Sequence, residues 1–310
     1  MQSVLAPKPL VSVVIATYNG EKFLREQLDS LFNQTYSSLE IIAIDDCSSD
    51  SSVQILNEYA SRHSKMKMFV NDKNLRHVKT FEKGISITTG DYISLCDQDD
   101  VWDVSKIEET MKAFSEGVLL AYCDSLFVDE NGQSLGRKIS DIKNLADYDN
   151  ALPFLIGNTV AGHACIFKKE LVEKSFPFPN DIIHDWWLAY VASLYGSIRF
   201  VNKSLVKYRQ HNNNVIGAIK ISGRKSAKEK DNNRLIRDRV QLFLEKCPDS
   251  NSEVKNVLAT LHRSYSDFSL ANNFRRMNLF FKYETELLAT KKRSAFRKWL
   301  FCVKMFFKII

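Results

Sequence analysis

Three acids in four positions, Asp97, Asp99 and Asp100, follow a short apolar run, Tyr92 to Cys96, that reads as a buried strand. Like charges this close repel unless a cation lies among them, and carboxylate oxygens are hard ligands suited to Mn2+ or Mg2+. At a strand's carboxyl end they reach from a rigid support into the crevice where open α/β sheets bind ligands. The non-chemical reading of the same residues is a solvated acidic turn, with Asp103 capping the helix that follows.

Two further apolar runs end in polar clusters: Val11–Ala16 in Thr17-Tyr18-Asn19-Gly20, and Leu39–Ile44 in Asp45-Asp46. In a doubly wound sheet such ends lie along one rim. A pyrimidine nucleotide suits that rim, with a carboxylate accepting from the ring N3–H, Tyr18 against the base and a cation at Asp99 bridging a diphosphate. No G-x-x-x-x-G-K-S loop occurs, and no G-x-G-x-x-G follows the first strand, which disfavours kinase-like ATP use and dinucleotide binding.

The elements that must position these groups follow from periodicity. Strands at Val11–Ala16, Leu39–Ile44, Met66–Val70 and Tyr92–Cys96 alternate with helices near 21–33, 52–63 and 78–88, the second capped by Ser49 or Asp50. That order argues for a doubly wound, mostly parallel α/β sheet flanked by helices. Beyond it come a helix at 104–114, a strand at 118–124, and a hairpin over 126–134 with a type I′ turn at Asn131-Gly132. A helix at 147–156, a strand at 164–167, a helix at 182–195 and a strand at 197–208 follow. From Lys220 onward strand signals vanish, and helices are expected at 234–247, 253–272 and 279–290. The expected division is a domain over 1–217 and a helical C-terminal region over 218–310.

Composition is that of a globular protein able to bury a core: 310 residues, 45% hydrophobic, 26% charged, net charge +6. Lysine and arginine concentrate at 220–239 and 291–308, which points to an anionic partner surface near the C-terminus. The six cysteines form no C-x-x-C pair and read as reduced core residues of a cytoplasmic protein. No basic stretch followed by an apolar core opens the chain, and no run of 18 apolar residues occurs, so neither a secretory signal nor a membrane-spanning helix is expected.

Taken in order, Val-Ser-Val-Val-Ile-Ala-Thr-Tyr-Asn-Gly, Asp45-Asp46-Cys47-Ser48-Ser49-Asp50, Asp97-Gln98-Asp99-Asp100-Val101-Trp102, His184-Asp185-Trp186-Trp187 and Tyr208-Arg209-Gln210-His211 resemble the family 2 glycosyltransferases, inverting enzymes of the GT-A fold. Among them the chain looks most like rhamnosyltransferase-type members that build bacterial surface polysaccharides. The resemblance spans about Leu10 to Gly217. It implies that Thr17, Tyr18, Asn19, Asp45 and Asp46 hold the base and ribose of a nucleotide-diphosphate sugar. It also implies that Asp97 contacts the sugar or ribose, Asp99 binds Mn2+ or Mg2+, and Asp185 is the general base. Arg209 would fork a phosphate and His211 complete the metal shell, or the two form a solvated loop pair. His163 is an acceptor-pocket residue or a structural histidine, and Trp186 and Trp187 are sugar platforms or core. Relatives of this type usually carry Gly after Asn-Leu where this chain has Arg76, which leaves Arg76 as a nucleotide contact or a sign of a rebuilt loop.

In Lys291–Ile310 the side chains of Phe296, Trp299, Leu300, Val303, Phe306, Phe307 and Ile310 share one helical face, with lysines away from its middle. A basic amphipathic helix of this kind suits the inner face of the cytoplasmic membrane and a polyprenyl-linked acceptor. The alternative is a helix packed on the protein itself or on a second subunit of an oligomer. Segregation of the aromatics to one face argues against nucleic acid. The expected activity is transfer of rhamnose from dTDP-rhamnose to a glycan or lipid-linked acceptor. The rivals are transfer of galactose or glucose from a UDP donor, and a non-catalytic nucleotide-sugar or glycan-binding module.

Overall fold

A computed structural model describes residues 7–211, 232–267 and 269–307. Strands β1 (Val11–Thr17), β2 (Leu39–Asp45), β3 (Met66–Val70) and β4 (Tyr92–Cys96) alternate with helices α1 (Glu21–Phe32), α2 (Ser52–Arg62) and α3 (Arg76–Ser86). They pair in parallel in the order β3-β2-β1-β4. Successive side chains of a strand face opposite sides. Val13, Ile15, Ile41 and Ala43 accordingly pack with Leu24, Leu28 and Leu31 of α1 and Ile55 and Leu56 of α2. Val14, Ile42, Ile44, Ile93 and Leu95 pack with Val78, Phe81 and Ile85 of α3. Burial on both faces explains why β1, β2 and β4 are mostly apolar, whereas the edge strand β3 is buried only in part.

The sheet then turns mixed. After β5 (Val101–Trp102) and α4 (Lys106–Met111) come β6 (Val118–Val128), β7 (Ser134–Lys138), α5 (Ile139–Ile142), β8 (Cys165–Lys168), α6 (Glu170–Ser175), α7 (His184–Tyr195) and β9 (Ser197–Arg209). The order continues β4-β8-β6-β9-β5, with β8 antiparallel to both neighbours and β6 parallel to β9. Because β5 pairs with β9, Val101 opposite Lys207, the acidic turn between β4 and β5 is tied down at both ends. The α/β class expected from the sequence is the one observed.

The C-terminal helices α8 (Asn232–Lys246), α9 (Ser252–Ser264), α10 (Leu270–Lys282), α11 (Glu284–Leu287) and α12 (Ala295–Lys304) join the larger buried cluster. Phe243 stacks on Tyr190 of α7 at 4.1 Å, and the Tyr190 hydroxyl donates to the Phe243 carbonyl at 2.7 Å. The segment 217–225 expected to hold the domain boundary lies outside the described residues.

Several local expectations are corrected. The helix over 147–156 is a single 3-10 turn, Leu152–Leu155, because Asn150 Oδ1 accepts from the Leu152 N–H and Pro153 follows. The hairpin forms, but Gly132 alone takes the left-handed region (φ 77), so the turn is not type I′. Gly132 N–H donates back to the Asp129 carbonyl at 3.0 Å, closing a four-residue turn. The helix over 253–272 breaks after Ser264 and restarts at Leu270, where Ser269 Oγ accepts from the Asn272 N–H. Asp50, one of the two expected caps, accepts from the Ser52 N–H at the start of α2 at 3.0 Å. Asp103 accepts from the N–H and hydroxyl of Ser105, delaying α4 to Lys106. Five of the six free cysteines are buried and Cys47 is exposed.

Candidate active site

The carboxyl ends of β1, β2 and β4 open into one cavity of about 1040 Å³, lined among others by Tyr18, Asp46, Arg76, Asp97, Asp99, His163, Asp185 and His211. Register explains the convergence: Thr17 lies opposite Asp45 and Ile15 opposite Cys96, so β1 and β2 end level and β4 ends two residues earlier, where the acidic turn begins.

The acidic turn contains two pairings. Asp99 Oδ2 lies 2.7 Å from His211 Nε2, so the expected metal pair is together. His163 Nδ1 lies 3.5 Å from both Asp97 Oδ2 and Asp100 Oδ2, and its Nε2 is 3.0 Å from Ser125 Oγ. One ligand atom from each of Asp97, Asp100 and His163 fits within 4.8 Å of the others. Asp100 is fully buried, and its Oδ2 has no hydrogen-bond partner. A carboxylate oxygen without a partner in a buried site calls for a cation or a proton, and a hard divalent ion fits this donor set.

Burial pushes Asp100 well above the usual carboxylate range, reinforced by Asp99 and Asp97 although His163 opposes it. Burial, with the charge of Asp97, also raises Asp99, against the hydrogen bond from His211. For Asp97 burial acts upward too, but the hydrogen bond and charge of His163 and the nearby His184 and His77 outweigh it and keep it low. Beneath the turn, Lys106 is fully buried, its Nζ 3.2 Å from Ser94 Oγ and over the ring of Trp102. Burial lowers it to about 8.

Asp185 lies in the first turn of α7, just after His184, and both line the cavity wall. Burial raises its carboxyl to about 6, while Lys143 and the N–H groups of Trp186 and Gly162 pull the other way. That value leaves it mostly ionised at neutral pH yet basic enough to take a proton. His184 beside it is held neutral, burial lowering it to about 4.

The base-side residues divide. Asp46 lines the cavity but is already bonded, Oδ1 accepting from Asn71 Nδ2 and the Leu75 N–H and Oδ2 from the Arg76 N–H, each at 2.8 Å. Asp45 is fully buried, accepts from Thr17 Oγ1 and from the N–H and hydroxyl of Ser48, and does not line the cavity. Asn19, at φ 48, binds the Ser48-Ser49 loop through both its N–H and its Oδ1. Gln98, which sequence reading passed over although it sits inside the acidic motif, clamps the Tyr18 backbone from both sides, at 2.8 and 3.0 Å.

The expectation for Arg209 is corrected, and the two readings left open for Trp186 and Trp187 are decided in favour of core. Arg209 does not line the cavity: it is buried, and its guanidinium donates to the carbonyls of Asp99 and Glu130 and to Glu26. It braces the acidic turn instead. Neither Trp186 nor Trp187 lines the cavity; their Nε1 groups donate to the Phe154 and Ser175 carbonyls at 2.7 Å, which turns both rings toward Phe243. Lys143 and His77 line the cavity unforeseen, and neither sits in a motif that would have announced it.

The model of Glycosyl transferase family 2 matches residues 12–176. The chain belongs to this glycosyltransferase family. An uncharacterised glycosyltransferase of Haemophilus influenzae is 25% identical over 316 residues, covering 92% of this chain and 94% of the relative. The putative teichuronic acid biosynthesis glycosyltransferase TuaG of Bacillus subtilis is 25% identical over 215 residues, covering 67% of this chain and 82% of the relative. Among solved structures, S. aureus TarS 1–349 with UDP-GlcNAc superposes with a TM-score of 0.60 at 17% identity, over 90% of this chain and 81% of TarS. The mannosyltransferase PcManGT of Pyrobaculum calidifontis, with GDP-Man and Mn2+, gives 0.51 at 15% identity, over 97% of this chain and 86% of that one. These likenesses show the GT-A fold of this glycosyltransferase.

Proposed function

We propose that this glycosyltransferase inverts the anomeric centre it acts on. It would move a sugar, in the first instance rhamnose from dTDP-rhamnose, to a glycan or polyprenyl-linked acceptor in bacterial surface polysaccharide synthesis. The observation that carries the reading is that Asp185 shares one cavity with Asp97 and Asp99 although they come from α7 and from the β4–β5 turn. In the reaction the acceptor hydroxyl gives its proton to Asp185 and its oxygen attacks the anomeric carbon. The bond to the diphosphate breaks with its electron pair leaving on the diphosphate oxygen. Tyr18 and Asp46 face the base and ribose, and Arg76 faces the diphosphate. Asp97, Asp100 and His163, with the Asp99–His211 pair at the same rim, would hold Mn2+ or Mg2+, whose chemistry there is to neutralise charge on the leaving diphosphate.

The printed ligands of the solved relatives, UDP-GlcNAc in TarS and GDP-Man with Mn2+ in the mannosyltransferase, support a nucleoside-diphosphate sugar and a divalent ion as ligand classes. Teichuronic acid synthesis, named for TuaG, supports a surface polymer as product. Rhamnose rests on the motif resemblance, and UDP-galactose and UDP-glucose are its rivals. A donor panel with Mn2+, read by thermal shift and donor hydrolysis, tests this. Stabilisation and turnover of dTDP-rhamnose are expected. Turnover of a UDP-hexose instead would replace the sugar, and binding without any turnover would leave a nucleotide-sugar-binding module.

A further inference from the structure

Past Asp185 the cavity wall holds Lys143, and behind it lie two further cations, Lys291 and Arg239. Lys143 lines the cavity and donates from Nζ to the Asn158 carbonyl at 3.1 Å. Its backbone pairs with Lys291 across an isolated antiparallel bridge, and the Asn144 N–H donates to the Thr290 carbonyl at 3.3 Å. The stretch leading into α12 is thereby stitched to the wall that carries the base. At Gly157 a Cβ would lie 3.1 Å from Thr290 Oγ1 and 3.2 Å from Lys291 Nζ, so a larger residue would intrude between these two groups and the backbone. Thr290 Oγ1 is buried with no hydrogen-bond partner. So is Nε of Arg239, whose guanidinium lies 4.4 Å from the Trp186 ring.

Among the described residues no carboxylate forms an ion pair with Lys143, Lys291 or Arg239. Burial lowers Lys291, and repulsion from Arg293, Lys143 and Arg239 lowers it further. Burial lowers Lys143 against the pull of Asp185. Half-buried cations gathered with only Asp185 acting on one of them are costly unless a further anion joins them. A single carboxylate would leave most of this charge unmatched, whereas a phosphate brings up to two charges and several acceptor oxygens.

We infer that Lys143, Lys291 and Arg239, with the Thr290 hydroxyl, form a subsite for a phosphate group carried by the acceptor. The inference rests on the transferase reading and names its acceptor class: a molecule with a phosphate or diphosphate near the hydroxyl to be glycosylated. Lipid-borne diphosphate and polyol-borne phosphate share this chemistry.

The test uses the full chain preloaded with dTDP or UDP and Mn2+, so that the donor side is filled. Farnesyl diphosphate in detergent and glycerol 3-phosphate are then titrated by calorimetry. Wild-type protein binds at least one, and which one identifies the source of the phosphate. The double variant Lys291→Met and Arg239→Met, keeping length and apolar contact but not charge, weakens that binding at least about tenfold. Lys291→Arg retains it, and circular dichroism checks that each variant is folded. Absence of binding to both probes, or equal affinity in the double variant, overturns the subsite. The nucleotide step is scored separately. A protein that takes up no nucleotide sinks the transferase reading, while the phosphate titration still reads the cation cluster.

Discussion

Asp100 and His163 face each other at 3.5 Å across a fully buried gap, and Asp100 Oδ2 has no hydrogen-bond donor of its own. The other oxygen, Oδ1, is occupied by the Arg209 N–H at 3.1 Å. One half of the carboxylate is thus structural and the other half is free for a cation. Asp100→Asn keeps the Oδ1 acceptor and removes the charge. Its expected outcome is a folded protein whose Mn2+ affinity falls on the order of 10–100-fold, the scale of perturbed metal shells. Calorimetric Mn2+ titration checks it, and an unchanged affinity would move the ion elsewhere on the rim.

Asp185→Asn removes a base without changing side-chain shape. Transfer is expected to fall by about 10²–10⁴, the usual worth of a positioned base, with donor nucleotide affinity unaltered. Steady-state transfer and nucleotide titration on the same preparation separate the two effects.

The raised carboxyl of Asp185, at about 6, also sets a pH dependence. The reactive form is the ionised one, so activity should hold above that value. It should fall about tenfold per pH unit well below it, as one proton is taken up. A kcat/KM profile whose acid limb lies near the ordinary carboxylate range, about 4, would show that Asp185 is not the titrating base.

Gly84 brings α3 onto the sheet. A Cβ there would collide with Val14 Cγ1 and lie 3.1 Å from Ile44 Cγ1. Alanine would gain about 1 kcal/mol of helix propensity, but overpacking a fitted core costs about 1–3 kcal/mol. The collision partners are core strand residues with little room to move, so the loss should win. Gly84→Ala is expected to lower Tm and to loosen the α3 residues that line the cavity, Arg76, His77, Thr80 and Phe81. Calorimetric melting checks the sign.

The outer face of the C-terminal helices carries Leu270, Phe274, Phe296, Trp299 and Phe307 exposed, beside exposed Arg297 and Lys304. Cys302 and Met305 face inward, and the Met305 carbonyl accepts from Arg276 Nε at 2.7 Å, so α12 packs on the protein and still presents an apolar face. No helix among the described residues is long and apolar enough to cross a membrane. The membrane-surface alternative read from the sequence would rest this face on an anionic bilayer. Phe296→Ser with Trp299→Ser is expected to abolish co-sedimentation with phosphatidylglycerol vesicles. Retained co-sedimentation would assign the face another role.

What was legible in the sequence was whatever local chemistry dictates. Charge crowding at Asp97, Asp99 and Asp100 marks a site in any fold, and the β-branched strands with helical crossovers name the sheet. Asp185 was legible only through the motif around it. The Trp186-Trp187 pair stayed open in the sequence because an aromatic face reads the same whether it stacks on a sugar or, as here, on Phe243 from a helix some fifty positions later. Arg209 misled for a related reason: its partners, Glu26 and the carbonyls of Asp99 and Glu130, are brought to it by the fold alone. Lys143 gave no signal, since its neighbours Asn158 and Lys291 are distant in sequence.

Arg76 stands where the motif resemblance implies glycine, and the backbone geometry there suits glycine. Its φ is 65, in the left-handed region that glycine enters freely and other residues at a cost of about 1–3 kcal/mol. The strain is held by Asp46 Oδ2, which accepts the Arg76 N–H at 2.8 Å, while the exposed side chain lines the cavity without a side-chain hydrogen bond or ion pair among the described residues. A cation kept at a strained position beside the donor rim is consistent with a grip on the diphosphate. Arg76→Gly, the residue the motif resemblance implies here, should then raise Tm by relieving the backbone and lower donor affinity by losing the guanidinium, on the order of 1.5–3 kcal/mol for a charged hydrogen bond. Arg76→Lys should keep part of the affinity and all of the strain. Melting curves with and without nucleotide measure both quantities at once. A glycine variant that gains stability and binds donor as tightly as the parent would reduce Arg76 to a tolerated substitution.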